Sequence, residues 1–336
     1  MTSVQQTVVI TGASGGVGRA TAIRFGQAGA AVALLARDGQ GLAEAAKEVR
    51  QAGGKVMTVM LDVARADEVD AAAERIEASL GPIDVWVNCA MVTVFSPFAD
   101  MTAEEYARVT EVTYLGAVHG TRAALRHMRE RNRGSIVQVG SALSYRSIPL
   151  QSAYCGAKFA IRGFTDALRV ELMHEKSRVR LTMVQLPACN TPQFEWARHR
   201  LRFQPQPVPP IYQPEVAAAA IYWAAHHRRR ELWVGWSSVK AIVGTLLLPG
   251  LTDWLMTRKA VDGQMDRTAP APAPAPASIR ADNLHTPVTG LHATHGRFSD
   301  AAAERSRTLW VAMHRRGLAG AVLLVGVGVW VILAFA

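Results

Sequence analysis

Apolar residues in the first two-thirds of the chain fall in short runs, separated by longer stretches with helical spacing. The runs are Thr7–Ile10, Ala31–Ala36, Val56–Leu61, Val85–Asn88, Ser135–Val139, Arg180–Gln185 and Leu232–Val234. Several are apolar on consecutive residues, the pattern of strands covered on both faces. Between them lie Ala-rich amphipathic stretches of helix length, such as Gly41–Ala52 and Glu68–Leu80. Regular strand–helix alternation predicts an α/β fold with a doubly wound parallel sheet of about seven strands.

The pattern changes after residue 235. The stretch 236–262 is apolar but broken by Pro249 and Gly250. It reads as helices that either pack on the domain or lie against a bilayer, so residues 1–262 are assigned to one catalytic domain with an apolar extension. Residues 263–316 form a Pro/Ala-rich linker and polar segment. Within it APAPAPAPA at 269–277 favours an extended spacer, and 278–307 is weakly patterned and expected to be mobile or loosely docked. The last segment, 317–336, carries no charged side chain. About 20 mainly apolar residues suffice for a helix to cross the hydrocarbon core, so this segment predicts a C-terminal transmembrane anchor. Arg315 and Arg316 at its leading edge place the catalytic domain on the cytoplasmic side.

Composition adds limits. The formal net charge is +10 over 336 residues. The arginines are scattered and lack interleaved aromatics, which argues against a nucleic-acid interface. Cys89, Cys155 and Cys189 have no CxxC spacing, so neither a metal site nor a disulfide framework is indicated. The N-terminus enters a strand directly, with no charged-then-apolar leader.

The chemistry begins at Thr11–Gly18, TGASGGVG, between the first strand and the first helix. Gly12 permits a tight turn, Gly16 a close backbone approach to a pyrophosphate, and Gly18 close helix packing. The helix N-terminus presents free N–H groups to the phosphates, with Ser14 and Val17 in the same loop. At the end of the second strand the sequence reads Ala36-Arg37-Asp38. A carboxylate at that strand end would bond the ribose 2′-hydroxyl of NAD. Arg37 instead suits a 2′-phosphate, which favours NADP over NAD, while Asp38 leaves NAD open.

Ser141 ends the strand SIVQVGS, and Tyr154 and Lys158 lie one helical turn apart on a single face. A fixed ammonium beside a phenol favours the phenolate and lowers its pKa. Tyr154 would then exchange a proton with a carbonyl or alcohol oxygen, and Ser141 would hold that oxygen in line.

Together, TGxxxGxG, the serine, and Tyr-x-x-x-Lys thirteen residues later resemble the short-chain dehydrogenase/reductase family over about Thr7 to Gly235. The resemblance implies a Rossmann-type fold, a catalytic set of Ser141, Tyr154 and Lys158, and a Lys158 that also binds the nicotinamide ribose. It places Asp62, with Val63, beside the adenine, Asn88 among the coenzyme-binding residues, and Pro187 and Thr191 near the nicotinamide. It also implies a homo-oligomer. Three elements depart from the family pattern. Ala188 replaces a glycine; Asn88-Cys89-Ala90-Met91 stands for Asn-Asn-Ala-Gly; and Thr113 stands where an asparagine supports a proton relay.

The reading is an NADP(H)-dependent oxidoreductase interconverting a carbonyl and an alcohol. The stretch Cys189–Gln213, mixing Phe194, Trp196 and Phe203 with arginines, is expected to form a lid over a lipophilic small-molecule substrate. Its charges are expected to be mostly solvated. Two other readings remain: a nucleotide-binding regulatory or scaffold protein with little turnover, and an epimerase or dehydratase on the same fold.

Overall fold

The computed structural model describes residues 5–270, 281–290 and 292–315. Seven parallel strands form the main sheet: β1 Thr7–Thr11, β2 Ala31–Ala36, β3 Lys55–Met60, β4 Ile83–Asn88, β5 Ser135–Ser141, β6 Arg180–Leu186 and β7 Glu231–Trp233. Their order is β7-β6-β5-β4-β1-β2-β3. β1 pairs with β2 from Thr7↔Ala31 to Thr11↔Leu35 and with β4 on its other side. Chain direction therefore reverses its progress across the sheet beside β1, and the crevice past the strand ends there is where open α/β sheets take ligands.

Alternation within β1 shows why its run is apolar throughout. Val8 and Ile10 enter a core with Phe25, Leu42 and Val49, from helices α1 (Gly16–Gln27) and α2 (Gly39–Gln51). Val9 faces the opposite core with Val69, Ile76, Ala124 and Met128 from α3 (Ala66–Leu80) and α5 (Gly116–Glu130). Between α3 and α5 comes α4 (Ala103–Val109), started by a capping box between Thr102 and Glu105. The turn joining α4 to α5 is π-helical over Thr110–Leu115. α6 (Ser152–His174) packs on that turn, and α7 (Pro214–His226) covers α1.

The apolar stretch after β7 forms two helices, α8 (Gly235–Leu247) and α9 (Pro249–Lys259), divided at the Pro249-Gly250 step. They pack on each other, yet Trp236, Leu246, Leu247, Leu248, Leu251 and Trp254 remain exposed.

The polar segment departs from expectation. Met265–Pro270 pairs antiparallel with Phe203–Pro205, and Ala302–Ala303 pairs parallel with Ile211–Tyr212. Residues 281–290 and 292–303 are docked on the domain, with Leu284 fully buried in the α3/α5 core. The docking is made by backbone carbonyls and by ion pairs to residues far away in sequence, which hydropathy does not register. Among the described residues no helix is long and apolar enough to cross a membrane. The expected anchor, 317–336, lies outside the described residues, as does most of the Pro/Ala spacer.

Candidate active site

The glycine loop leaves β1 and turns back under Leu35, whose carbonyl accepts from Gly12 N (2.8 Å) and Ala13 N (3.2 Å). Gly12 (φ +69°) and Gly16 (φ +53°) adopt the left-handed backbone that favours glycine. A Cβ at Gly12 would stand 2.8 Å from Ala90 Cα, and one at Gly18 would stand 2.1 Å from Gly12 O. α1 starts with no side-chain cap and no acidic residue in its first turn. Its positive end borders a cavity of about 660 Å³, with Gly16 N donating to Ala293 O at 2.9 Å. A backbone cradle closed to any side chain, at a helix N-terminus, fits a dinucleotide pyrophosphate.

The same cavity is lined by Ser14, Val17, Arg37, Asp62, Val63, Pro187 and Thr191, and by Ser141, Tyr154 and Lys158. The structure thus brings the proposed coenzyme residues and the proposed catalytic set into one space. Asn88 is the exception. It is buried beneath the loop, where Nδ2 donates to Ala117 O, Thr121 Oγ1 and Gln138 Oε1, and Oδ1 accepts from Trp86 Nε1. Its amide is used up in that network, so its role is to hold β4 and α5 together.

At the catalytic end, the Lys158 side chain is buried and Nζ donates to Val139 O at 2.7 Å. Nζ lies 5.5 Å from the Tyr154 ring centre. Burial pushes Lys158 down to about 8, so its charge is held weakly. Tyr154 moves opposite to the expected direction. Burial and the neighbouring thiols Cys155, Cys189 and Cys89 push the phenol above its ordinary value, and a hydrogen bond from Ser141 opposes them. Desolvation of the would-be phenolate is the largest cause, leaving Tyr154 a protonated phenol at neutral pH. Ser141 Oγ also accepts from Leu143 N (3.1 Å), which fixes its orientation.

Thr113 is fully buried in the π-helical turn. Its hydroxyl donates to Val92 O (2.9 Å) and accepts from Val92 N (3.1 Å). The residue ties the loop after β4 to the turn, and that loop carries Ala90 against Gly12.

At the coenzyme end, burial works against the Asp62 carboxylate, but the Ala64 N–H and Arg108 bring it below the usual range. Arg37 is lowered by burial and by Arg108, with Asp62 opposing. The lid between β6 and α7 is more tightly held than its composition suggested. Arg198 and Arg200 both pair with Glu105, a buried carboxylate, at 3.1 and 2.8 Å, and Arg198 also pairs with Asp282. These charges are therefore partnered rather than solvated; the partners stand about ninety residues away in sequence, out of reach of local reasoning. Phe194 is buried against Phe95, while Trp196 lines the cavity. Arg108, Glu105 and His292 were not legible as site residues, since only the folded contacts single them out.

Comparisons with known proteins agree with this architecture. A family model described as short chain dehydrogenase matches residues 6–201. A protein of Bacillus subtilis (strain 168) named "Uncharacterized oxidoreductase YxnA" is 34% identical over 328 residues, 97% of this chain and 89% of that protein. The 3-dehydrosphinganine reductase of Danio rerio is 33% identical over 192 residues, 56% of this chain and 57% of its own length. An alcohol dehydrogenase from the archaeon Thermococcus sibiricus, solved in complex with 5-hydroxy-NADP, matches with a TM-score of 0.59 at 26% identity. That match covers 68% of this chain and 96% of the other.

Proposed function

The chain belongs to the short chain dehydrogenase family, and from that premise we propose that it is an NADP(H)-dependent oxidoreductase interconverting a carbonyl and an alcohol on a lipophilic substrate. The observation that carries the reading is the meeting of Ser141, Tyr154 and Lys158 with the glycine loop in one cavity. When bound, the reduced nicotinamide supplies the hydride that reaches the carbonyl carbon. Tyr154 gives its phenolic proton to the carbonyl oxygen, and Ser141 hydrogen-bonds that oxygen and orients it. The Lys158 ammonium then stabilises the phenolate left behind. A phenol that burial keeps protonated suits the reductive direction.

A pH dependence follows from Lys158, whose affinity for its proton is lowered to about 8. Its charge is present below that pH and lost above it. The kcat/KM for carbonyl reduction is expected to fall through a midpoint near 8 when followed from about pH 6 to about pH 10. A profile flat across that range would remove Lys158 as the charged partner.

NADP is supported by Arg37 at the end of β2 and by Ala36 standing where NAD specificity would need a carboxylate. A lipophilic substrate is supported by the far wall of the cavity, where α8 and α9 contribute Ala241, Leu255 and Met256 among the polar Ser237, Lys240 and Lys259. The outer face of the same helices carries exposed tryptophans and leucines. An apolar face continuous with a cavity mouth suits delivery from a bilayer. The uncharged run 317–336 supports the same membrane setting from sequence. A homo-oligomer paired through α6 belongs to this reading, with exposed Phe159, Val170 and Met173 as its apolar surface.

The test follows NADPH absorbance with the full-length chain in detergent and straight-chain ketones of increasing length. Rates that rise with chain length support the reading. Rates indifferent to length remove its lipophilic part, and equal kcat/KM with NADH removes its NADP part.

A further inference from the structure

Residues 281–290 and 292–299 run as a strap along the coenzyme end of the cavity. Three consecutive strap carbonyls receive the Arg37 guanidinium: Asn283 O, Leu284 O at 3.2 Å and His285 O at 2.9 Å. Arg108 also donates to Leu284 O, at 3.1 Å. Further along, His292 O accepts from Arg19 (3.0 Å) and Ala293 O accepts from Gly16 N (2.9 Å). The strap is thus fastened to both sides of the cleft.

Two carboxylates stand at this end, and both are already engaged. Asp62 pairs with Arg108 and accepts from Ala64 N. Asp38 Oδ2 caps α2 by accepting from Gly41 N (2.6 Å) and lies 3.0 Å from His292 Nε2. The His292 side chain is only 7% exposed, lines the cavity and sits against Trp196, with ring centres 5.2 Å apart. Its contact with Asp38 is off the line of an ideal hydrogen bond, and neither ring nitrogen has an aligned partner. The imidazole also rests on Gly41, where a Cβ would come within 2.6 Å of His292 Cγ. Arg37, by contrast, receives only neutral carbonyls from the strap, which orient its charge without cancelling it.

The geometry points to the strap as the element that selects the coenzyme. His292 is a positioning residue: it keeps the Asp38 carboxylate, which lines the cavity, engaged against α2 and so not free for the adenosine ribose. The carbonyls of 283–285 hold Arg37 for a 2′-phosphate. This inference rests on the NADP reading above and adds what enforces it. A released Asp38 would accept a ribose 2′-hydroxyl and repel a 2′-phosphate, so its placement counts twice.

The experiment measures the dissociation constants of NADPH and NADH by fluorescence titration of the full-length chain in detergent. His292→Phe keeps a ring against Trp196 and Gly41 but removes both nitrogens. It is expected to reduce the preference for NADPH by about tenfold. Adding Asp38→Asn, which preserves the helix cap, is expected to restore most of that preference. A purely structural role for His292 would not be rescued in this way. Gly41→Ala is a second probe: its Cβ would press on the imidazole and on Asp38 Oδ2 from the α2 side, loosening their contact, and the same shift is expected. If the native chain prefers NADPH and neither His292→Phe nor Gly41→Ala alters the ratio, the strap proposal is overturned while the NADP reading stands. If the shift occurs but Asp38→Asn does not reverse it, the role assigned to His292 is overturned. If the native chain binds both coenzymes equally, the NADP reading falls and the proposal with it.

Discussion

Replacing Tyr154 by Phe is expected to lower kcat for carbonyl reduction about a thousandfold while leaving the dissociation constant of NADPH within a factor of about two. In the proposed mechanism the phenol is the protonated acid, because burial pushes it up and the Ser141 hydrogen bond only partly offsets this. Removing one oxygen deletes that acid. The ring itself packs at the edge of the α3/α5 core, and Phe keeps the packing, so the fold should be retained. Stopped-flow reduction and an equilibrium titration on the same preparation separate the two effects. A kcat within about tenfold of the native value would mean that another group protonates the oxygen.

Gly18→Ala is expected to cost about 3 kcal/mol of stability and about a hundredfold in NADPH affinity. The added Cβ would lie 2.1 Å from Gly12 O, 2.8 Å from Gly12 C and 3.2 Å from Ala13 Cα. All three are backbone atoms of the loop, so no side chain can swing aside. The loop must move away from α1, and the cradle that would receive the pyrophosphate moves with it. Gly29→Ala supplies the contrast. Gly29 has φ +76° but nothing within 4 Å of its would-be Cβ. Its replacement should cost about 1 kcal/mol through backbone strain and leave NADPH binding unchanged. Chemical denaturation and fluorescence titration read both quantities. If Gly18→Ala binds NADPH as tightly as Gly29→Ala does, the cradle is not the pyrophosphate site.

The strap and the apolar helices border different parts of one cavity. Residues 281–290 and 292–299 are fastened beside Arg37 through carbonyls, one imidazole and Asp282, whereas α8 and α9 line another part of the cavity and expose tryptophans outward.

Much of this arrangement was readable before folding because it rests on local chemistry. Strands buried on both faces carry apolar residues at consecutive positions, so β1, β2, β4 and β5 announce themselves, and their alternation with helices dictates a parallel sheet. Glycines forced by φ and by close backbone approach have no substitute, which makes Gly12, Gly16 and Gly18 legible. Tyr154 and Lys158 share a face because they are one helical turn apart. What only the tertiary structure decided depends on distance through space. Asn88 left the coenzyme set because its neighbours across the sheet, Thr121 and Gln138, consume its amide. The direction of the Tyr154 shift was set by desolvation, a property of the packed cavity that residue spacing does not contain. The strap was the least visible of all. Its hold on Arg37 uses backbone carbonyls, which every residue possesses, so no side-chain pattern could mark residues 283–285 as the ones that close the site.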